Sequence, residues 1–396
     1  MKNISATNLC VNDGVSTKSF IGASGKAEHF LIIEAPGGSS FSEQVASIQS
    51  RYFLTTQSLG IKPESAIFRR IFLSDIINQV PMLEGSDLLD SEENPVAVSI
   101  IQQPPLSGAK IAMLVYHIAD DKPIARQRLS PNHIIFGEDG QRHLWTTGLC
   151  TASNTGDSNA YEQTNEIFNN LIDTLRGQGA TLAENCVRTW IYLKDVDVFY
   201  QGMVNSRREL FAKHGLTADT HYIASTGIQG ACAHQFDLVY MDALSVLDVV
   251  PEQISYLNDF DMLCPTYNYN VTFERGTRVA YADRAHHYIS GTASIDNAGN
   301  VLFPGDVIKQ LYRAMENVDA LLRSGGASLN DMMYLIVYLR DPSDYKNIDA
   351  IMRIKYPDLP AIIVQGAVCR PGWLIEVEGV AAAKHDDASI AGFLGE

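Results

Sequence analysis

The stretch that decides the fold is 367-AVCRPGWLIEVEGVAAAK-384. Its apolar residues alternate with two acids, Glu376 and Glu378. On a strand, residues two apart share a face, so both carboxylates point one way and Ile375 and Val377 the other. Two readings follow: the acidic face is wet, or one of the acids does chemistry. Cys369 lies seven residues before Glu376.

Working outward from this strand, the sequence predicts a repeated unit. The run 305-GDVIKQLYRAMENVDALLRSGG-326 places Ile308, Leu311, Met315, Val318, Leu321 and Leu322 at helical spacing, with Gly325 and Gly326 as the stop. "YLIVYLRD" then reads as a buried strand ending at Asp341, followed by a helix over 343–355 and two strands, "LPAIIVQGAV" and "GWLIEVEGVA". Upstream, "RVAYAD" and "HHYISGTASI" read as a hairpin. The same order recurs twice. "SLGIKPESAIFRRIFLSD" and "GQGATLAENCVRTWIYLKD" also run from a Gly stop through a short polar loop into a strand ending in Asp75 or Asp195.

Boundaries fall at about 1–125, 126–250 and 251–396, with Asp120–Pro123 and Pro251–Glu252 as junctions. Each unit is α+β, with helices on one sheet face. The other face is apolar and needs cover. Short linkers that are not Gly/Ser-rich favour three units packed around a common axis over three independent domains.

Composition narrows the function. Of 396 residues, 46% are hydrophobic, which supports a sizeable core, and the net charge of −16 argues against nucleic acid or an anionic membrane as partner. The six cysteines are scattered without a CxxC pair, as in a reduced, cytoplasmic protein. The start shows no secretory h-region, and no apolar run reaches a membrane span. His286 and His287 are adjacent, so on a strand they face opposite ways. With no HExxH, Walker loop or GxGxxG, neither a metal nor a cofactor is expected.

The third unit resembles the Rid superfamily, the YjgF-like proteins, in "ISGTASI", "GGASLNDMMYLIVYLRD" and "LIEVEGVA". Those proteins are trimers with clefts between subunits, so the resemblance implies a covalent pseudotrimer of three tandem units, the first degenerate. The deaminases of that superfamily carry an arginine after a Pro-Ala pair; here Ile362 follows Pro360-Ala361. Across nearly the whole chain the sequence resembles the chorismatases. The matching stretches are "QQPPLSGAKIAMLVY", "VRTWIYL", "STGIQG", "TFERG", "FPGDV" and "VCRPGWLIEVEG".

That resemblance implies cleavage of chorismate, a small dianion, to pyruvate and an aromatic or diene acid. The family's catalytic acid falls on Glu376. Cys369 together with Gly276, after Phe273-Glu274-Arg275, is similar to the 3-hydroxybenzoate-forming branch. A dianion calls for arginines, and Arg275, Arg188, Arg207 and Arg208 are candidates, Arg275 first because it lies in a motif, with Thr226 and Gly227 of "STGIQG" beside them. Thr226 and Gly227 also read as a turn. Ile191, and the stretch 205-NSRRELFAKHG-215, depart from the family pattern. The other two copies show apolar "AMLVY" and "FDLVY" where the third has its acid, so one cleft of three is expected to be live. A Rid-like deaminase and a non-catalytic ligand-binding protein are the alternative readings. The expected assembly is a monomeric pseudotrimer or a weak homo-oligomer.

Overall fold

The computed structural model describes residues 8–10, 14–152 and 155–395. Its architecture follows from one unit, clearest in the third copy. Asp306 accepts the Lys309 N–H at 3.0 Å and starts a helix over Val307–Ser324. Leu311, Met315, Val318 and Leu322 bury one stripe of it, and Gly326, at φ +79°, ends it. The following strand, Met332–Leu339, is buried along its whole length because it is covered on both faces.

Three six-stranded sheets result. The first holds β1 (Asn8–Cys10), β2 (Val15–Ile21), β3 (Ala27–Glu34), β4 (Ala66–Leu73), β5 (Ala97–Gln102) and β6 (Ile111–Ala119). The second holds β7 (Arg126–Ser130), β8 (His133–Phe136), β9 (His143–Leu149), β10 (Cys186–Leu193), β11 (Ala224–Gln229) and β12 (Val239–Val246). The third holds β13 (Ile254–Tyr256), β14 (Gly276–Ala280), β15 (Arg284–Ala293), β16 (Met332–Leu339), β17 (Ala361–Gln365) and β18 (Ile375–Lys384). The strand orders are β1-β2-β3-β6-β4-β5, β7-β8-β9-β12-β10-β11 and β13-β14-β15-β18-β16-β17, one topology three times. In each, the outer pair is parallel and the other neighbours antiparallel.

The helices are α1 (Phe41–Leu59), α2 (Ile76–Gln79), α3 (Ala160–Gly177), α4 (Leu182–Asn185), α5 (Val196–Lys213), α6 (Val307–Ser324) and α7 (Tyr345–Lys355). Asp75 and Asp195, read as strand ends, also cap α2 and α5 through side-chain oxygens. Unit 1 is the divergent copy: the crossover between its parallel strands has only α2 and a short 3-10 turn, where units 2 and 3 have α5 and α7.

Alternate residues of β4 and β10 enter different cores. On β4, Ile71 and Leu73 pack with the helices, whereas Phe68 and Phe72 join the core shared by the three sheets. That shared core is aromatic and crosses unit boundaries: Phe68 stacks on Trp145 with centroids 4.1 Å apart, and Phe30 meets Tyr334 at 5.5 Å. Sheet edges are joined by the bridges Gln102–Ala231, Pro105–Val364, Ala224–Glu274 and Ile228–Val368. Three α+β units thus close around one axis as a pseudotrimer, with one cleft between units 2 and 3 and another between units 3 and 1. Among the described residues, no helix is long and apolar enough to cross a membrane.

Candidate active site

The cleft between units 2 and 3 spans about 530 Å³ of empty space, part of it open to solvent. Glu376, Cys369, Arg275, Arg207, Thr226 and Gly227 all line it. Glu376 comes from β18, where it lies opposite Tyr338 of β16 and Ala293 of β15. The β15–β18 register slips between Ile289 and Thr292, so Ser290 and Gly291 bulge opposite Glu378. The bulge does two things. Ser290 Oγ accepts the Ser225 N–H at 2.9 Å and the Gly291 N–H donates to Thr226 Oγ1 at 2.9 Å, docking β11 onto β15. It also leaves room for the acid: a side-chain carbon at Gly291 would collide with the Glu376 carboxyl.

The two acids of the opening stretch share a face, and that face is not wet. Glu376 and Glu378 are only 5% and 1% exposed. Glu378 is fully engaged. It pairs with Arg188, accepts from Thr226, accepts the Tyr338 hydroxyl at 2.8 Å, and lies 3.8 Å from Arg70 Nη1. Arg70 also pairs with Asp242 at 3.1 Å, extending the buried network into units 1 and 2. Glu376 makes no hydrogen bond or ion pair with any described side chain. Burial, reinforced by the neighbouring Glu378, lifts its carboxyl to about 8, against the pull of Arg188 and Arg275. At neutral pH it holds its proton.

The rest of the lining is cationic and aromatic. Arg275 donates from Nη2 to the Cys264 carbonyl at 3.0 Å and lies 5.5 Å from the rings of Tyr269 and Phe273. Its Nε–H is buried without a partner. Arg207, on α5, donates to Thr272 Oγ1 at 3.2 Å and Ser225 Oγ at 3.3 Å, and its Nη2 is likewise unpartnered. Unpartnered buried guanidinium donors are costly, and an anion in the cavity would satisfy them. Burial lifts the Cys369 thiol to about 12, with the Glu376 carboxylate as the next cause, so Cys369 is a thiol here, not a thiolate. The Tyr200 hydroxyl hydrogen-bonds its sulfur. Arg340 holds the Cys369 loop against α5: it pairs with Asp197 at 2.8 Å and donates to the Val368 carbonyl at 2.5 Å.

Two sequence-derived candidates, Arg188 and Gly276, lie outside the cleft lining. Arg188 does not line the cavity; it stands behind Thr226 and is spent on Glu378. Gly276 starts β14, and a side chain there would press on Leu257 and the Tyr288 carbonyl, away from the cleft. Thr226 and Gly227 lie within β11 and make no turn. Ile191, which departs from the family pattern, packs in the helix-side core of unit 2 beside Gly227 and does not itself line the cleft. His286 and His287 diverge as alternation requires: His286 Nε2 meets Glu28 and His287 Nε2 meets the Gly325 carbonyl, each at 2.9 Å. Sequence reasoning passed over Arg370, Tyr200, Trp373 and Gly291. Arg370 stacks between Tyr269 and Trp373 at 4.5 and 4.9 Å. The signal for it was its place beside Cys369 in a loop already singled out.

A pseudotrimeric α+β protein with a cleft built from two successive units defines the class. Residues 277–383 match the family model described as Endoribonuclease L-PSP. The 3-aminoacrylate deaminase RutC of Acinetobacter baylyi is 32% identical over 96 residues, spanning 24% of this chain and 76% of that protein. A RutC family protein of Pyrococcus abyssi is 31% identical over the same shares of the two chains. The chain belongs to this family, the Rid or YjgF-like proteins. Its fold is also that of a chorismatase crystal structure, with a TM-score of 0.59, 16% identity, and coverage of 80% of this chain and 93% of that one.

The position that holds the arginine in the deaminases can be followed through the registers. Ile362 pairs with Ile336 on the parallel edge, and its counterparts are Thr226 and Ser99. None is basic. Thr226 and Ser99 instead hydrogen-bond the acids Glu378 and Asp242 of the next unit.

Proposed function

We propose that the unit-2/unit-3 cleft cleaves chorismate by general-acid catalysis, with Glu376 as the acid. The observation that carries this is a buried, unpartnered carboxyl, protonated at neutral pH, in a cleft with guanidinium N–H groups left unsatisfied. Such a cavity suits a small dianion that needs a proton. Glu376 gives its proton to the terminal CH₂ carbon of the enolpyruvyl ether, and the ether carbon becomes an oxocarbenium ion. Arg188 and Arg275, which already favour the ionised form of Glu376, stabilise the carboxylate left behind. Water adds to the cation, the hemiketal collapses, and pyruvate leaves. General-acid steps of this kind are typically worth about 10²–10⁴-fold.

Arg207, Arg275 and Arg370 bind the substrate carboxylates, and Tyr269, Phe273 and Trp373 enclose the ring. In the 3-hydroxybenzoate-forming route, which Cys369 and Gly276 favour by resemblance, a ring hydroxyl takes the place of water and the ring aromatises. The net change is then chorismate to 3-hydroxybenzoate plus pyruvate. Cys369, a thiol beside Glu376, would steer the intermediate or relay a proton. Gly276 would act on this choice only through its packing against Leu257.

The test is incubation with chorismate and separate assays for pyruvate, 3-hydroxybenzoate and the dihydroxycyclohexadiene acid. Pyruvate with 3-hydroxybenzoate is the expected outcome. Pyruvate with the diene acid would retain Glu376 and overturn the branch assignment. No pyruvate from folded protein would remove the enzyme reading. The deaminase alternative is disfavoured by Ile362, Thr226 and Ser99 at the arginine position.

A further inference from the structure

The junction of units 1 and 2 brings together side chains of a different kind. Cys150 directly follows β9, and Cys232, His234 and Asp237 lie in the connection between β11 and β12. The Cys150 sulfur, a His234 ring nitrogen and an Asp237 carboxylate oxygen lie within 4.8 Å of one another. Cys232 is buried beside them: its sulfur is 4.0 Å from Asp237 Oδ2, and it hydrogen-bonds Cys150. One thiol, one imidazole and one carboxylate therefore converge on one point from two segments far apart in the chain, with the Cys232 thiol at its margin.

We propose that these four residues form a Zn²⁺ site. Zinc favours four ligands drawn from thiolate, imidazole and carboxylate, and bonds of about 2.0–2.3 Å set ligand atoms about 3.3–3.8 Å apart in a tetrahedron. The Cys150, His234 and Asp237 donor atoms need to close by up to about 1.5 Å, and the Cys232 thiol completes the set by turning toward His234. The surroundings are those of a prepared site. Asp237 is buried, and its oxygens accept the Thr151 hydroxyl at 2.5 Å and the Ala152 N–H at 3.1 Å, which fixes the carboxylate from behind. Ala152 reaches it from a left-handed conformation, φ +48°, an unusual setting for a residue other than glycine.

The connection itself is held from outside the cluster. The buried Gln163 donates to the Phe236 carbonyl and accepts from the Leu238 and Val239 N–H groups, and Lys194 donates to the Gln235 carbonyl. Binding releases two thiol protons to solvent and leaves two thiolates, a neutral imidazole and a carboxylate on the metal. With all four positions filled by protein, the site is structural. It ties the end of β9 to the β11–β12 connection. The counterpart of that connection in unit 3 is the loop carrying Cys369, as the matching positions of Gln229 and Gln365 at the ends of β11 and β17 show.

The test is titration of reduced, chelator-treated full-length protein with Co²⁺, followed by Zn²⁺. The expected result is saturation at about one equivalent, with a thiolate-to-cobalt charge-transfer band that Zn²⁺ abolishes. His234→Ala changes an exposed side chain and leaves the core intact; it is expected to weaken Co²⁺ binding by about tenfold or more. Cys150→Ser is expected to diminish the charge-transfer band itself. No thiolate band in the wild-type protein, or a band and affinity unchanged in both variants, would overturn the proposal.

Discussion

The unit-2/unit-3 cleft and the unit-3/unit-1 cleft are made from the same elements and hold opposite arrangements. In the first, Glu376 on the central strand faces Ala293 on its neighbour. In the second, the same two positions hold Ala112 and Glu34, so the carboxyl sits one strand over. Burial lifts Glu34 as well, to about 7. The difference lies in the counter-charges. Arg353, beside Glu34, is already paired with Asp349 at 2.8 Å, and the cleft is a roomier 1000 Å³. Around Glu376, Arg207, Arg275 and Arg370 have no carboxylate partner among the described residues. The Thr226–Glu378–Arg188 brace beneath Glu376 also has no counterpart in the second cleft, where Ile362 and Leu114 occupy the positions of Thr226 and Glu378. A raised carboxyl is therefore a by-product of burial in this fold. Uncommitted arginines beside it are what distinguish a site for an anion.

The sharpest way to break this comparison is to remove each carboxyl in turn. Glu376→Gln is expected to lower kcat for pyruvate release by about 10²–10⁴-fold. Glu34→Gln, measured in the same assay, should stay within about twofold. Equal losses would erase the distinction between the clefts. Glu378→Gln tests the brace: it strands Arg188 in the interior and should cost about 3–5 kcal/mol in urea unfolding. Next come the arginines. Arg207→Met or Arg275→Met removes a charged hydrogen-bond donor worth about 1.5–3 kcal/mol, so KM should rise about ten- to a hundredfold with a smaller change in kcat. An unchanged KM would place the substrate carboxylates elsewhere. The smallest expected effect on rate is that of Cys369→Ala, whose signature is a shift of product toward the diene acid. An unaltered product ratio would leave Cys369 without a part in the choice.

The repeat was legible because it is written locally. Helical spacing in 307–324, the glycine stop and the strand ending at Asp341 recur with the same order in all three copies, and no distant contact is needed to see them. Glu376 was legible from strand alternation and from its absence in the other copies. The fate of Glu378 was not. Alternation places two acids on one face but says nothing of what meets that face, and the partners Arg188, Thr226 and Arg70 belong to other units. Gly276 misled by adjacency: the motif that carries Arg275 into the cleft turns the next residue toward Leu257. The Ser290–Gly291 bulge is a matter of register between β15 and β18, which a single sequence does not encode visibly. Cys150 and Cys232 meet only because β9 and the β11–β12 connection are brought together by the second sheet.

The central claim is that Glu376 enters the reaction as an acid, and the pH dependence of kcat/KM for chorismate cleavage tests it most directly. A carboxyl raised from its ordinary 4.5 to about 8 is protonated at neutral pH and loses its proton as pH rises through about 8. The account predicts a profile with an alkaline limb near pH 8, falling about tenfold per unit above it. Activity that is flat or rising between pH 7 and 9 would contradict it.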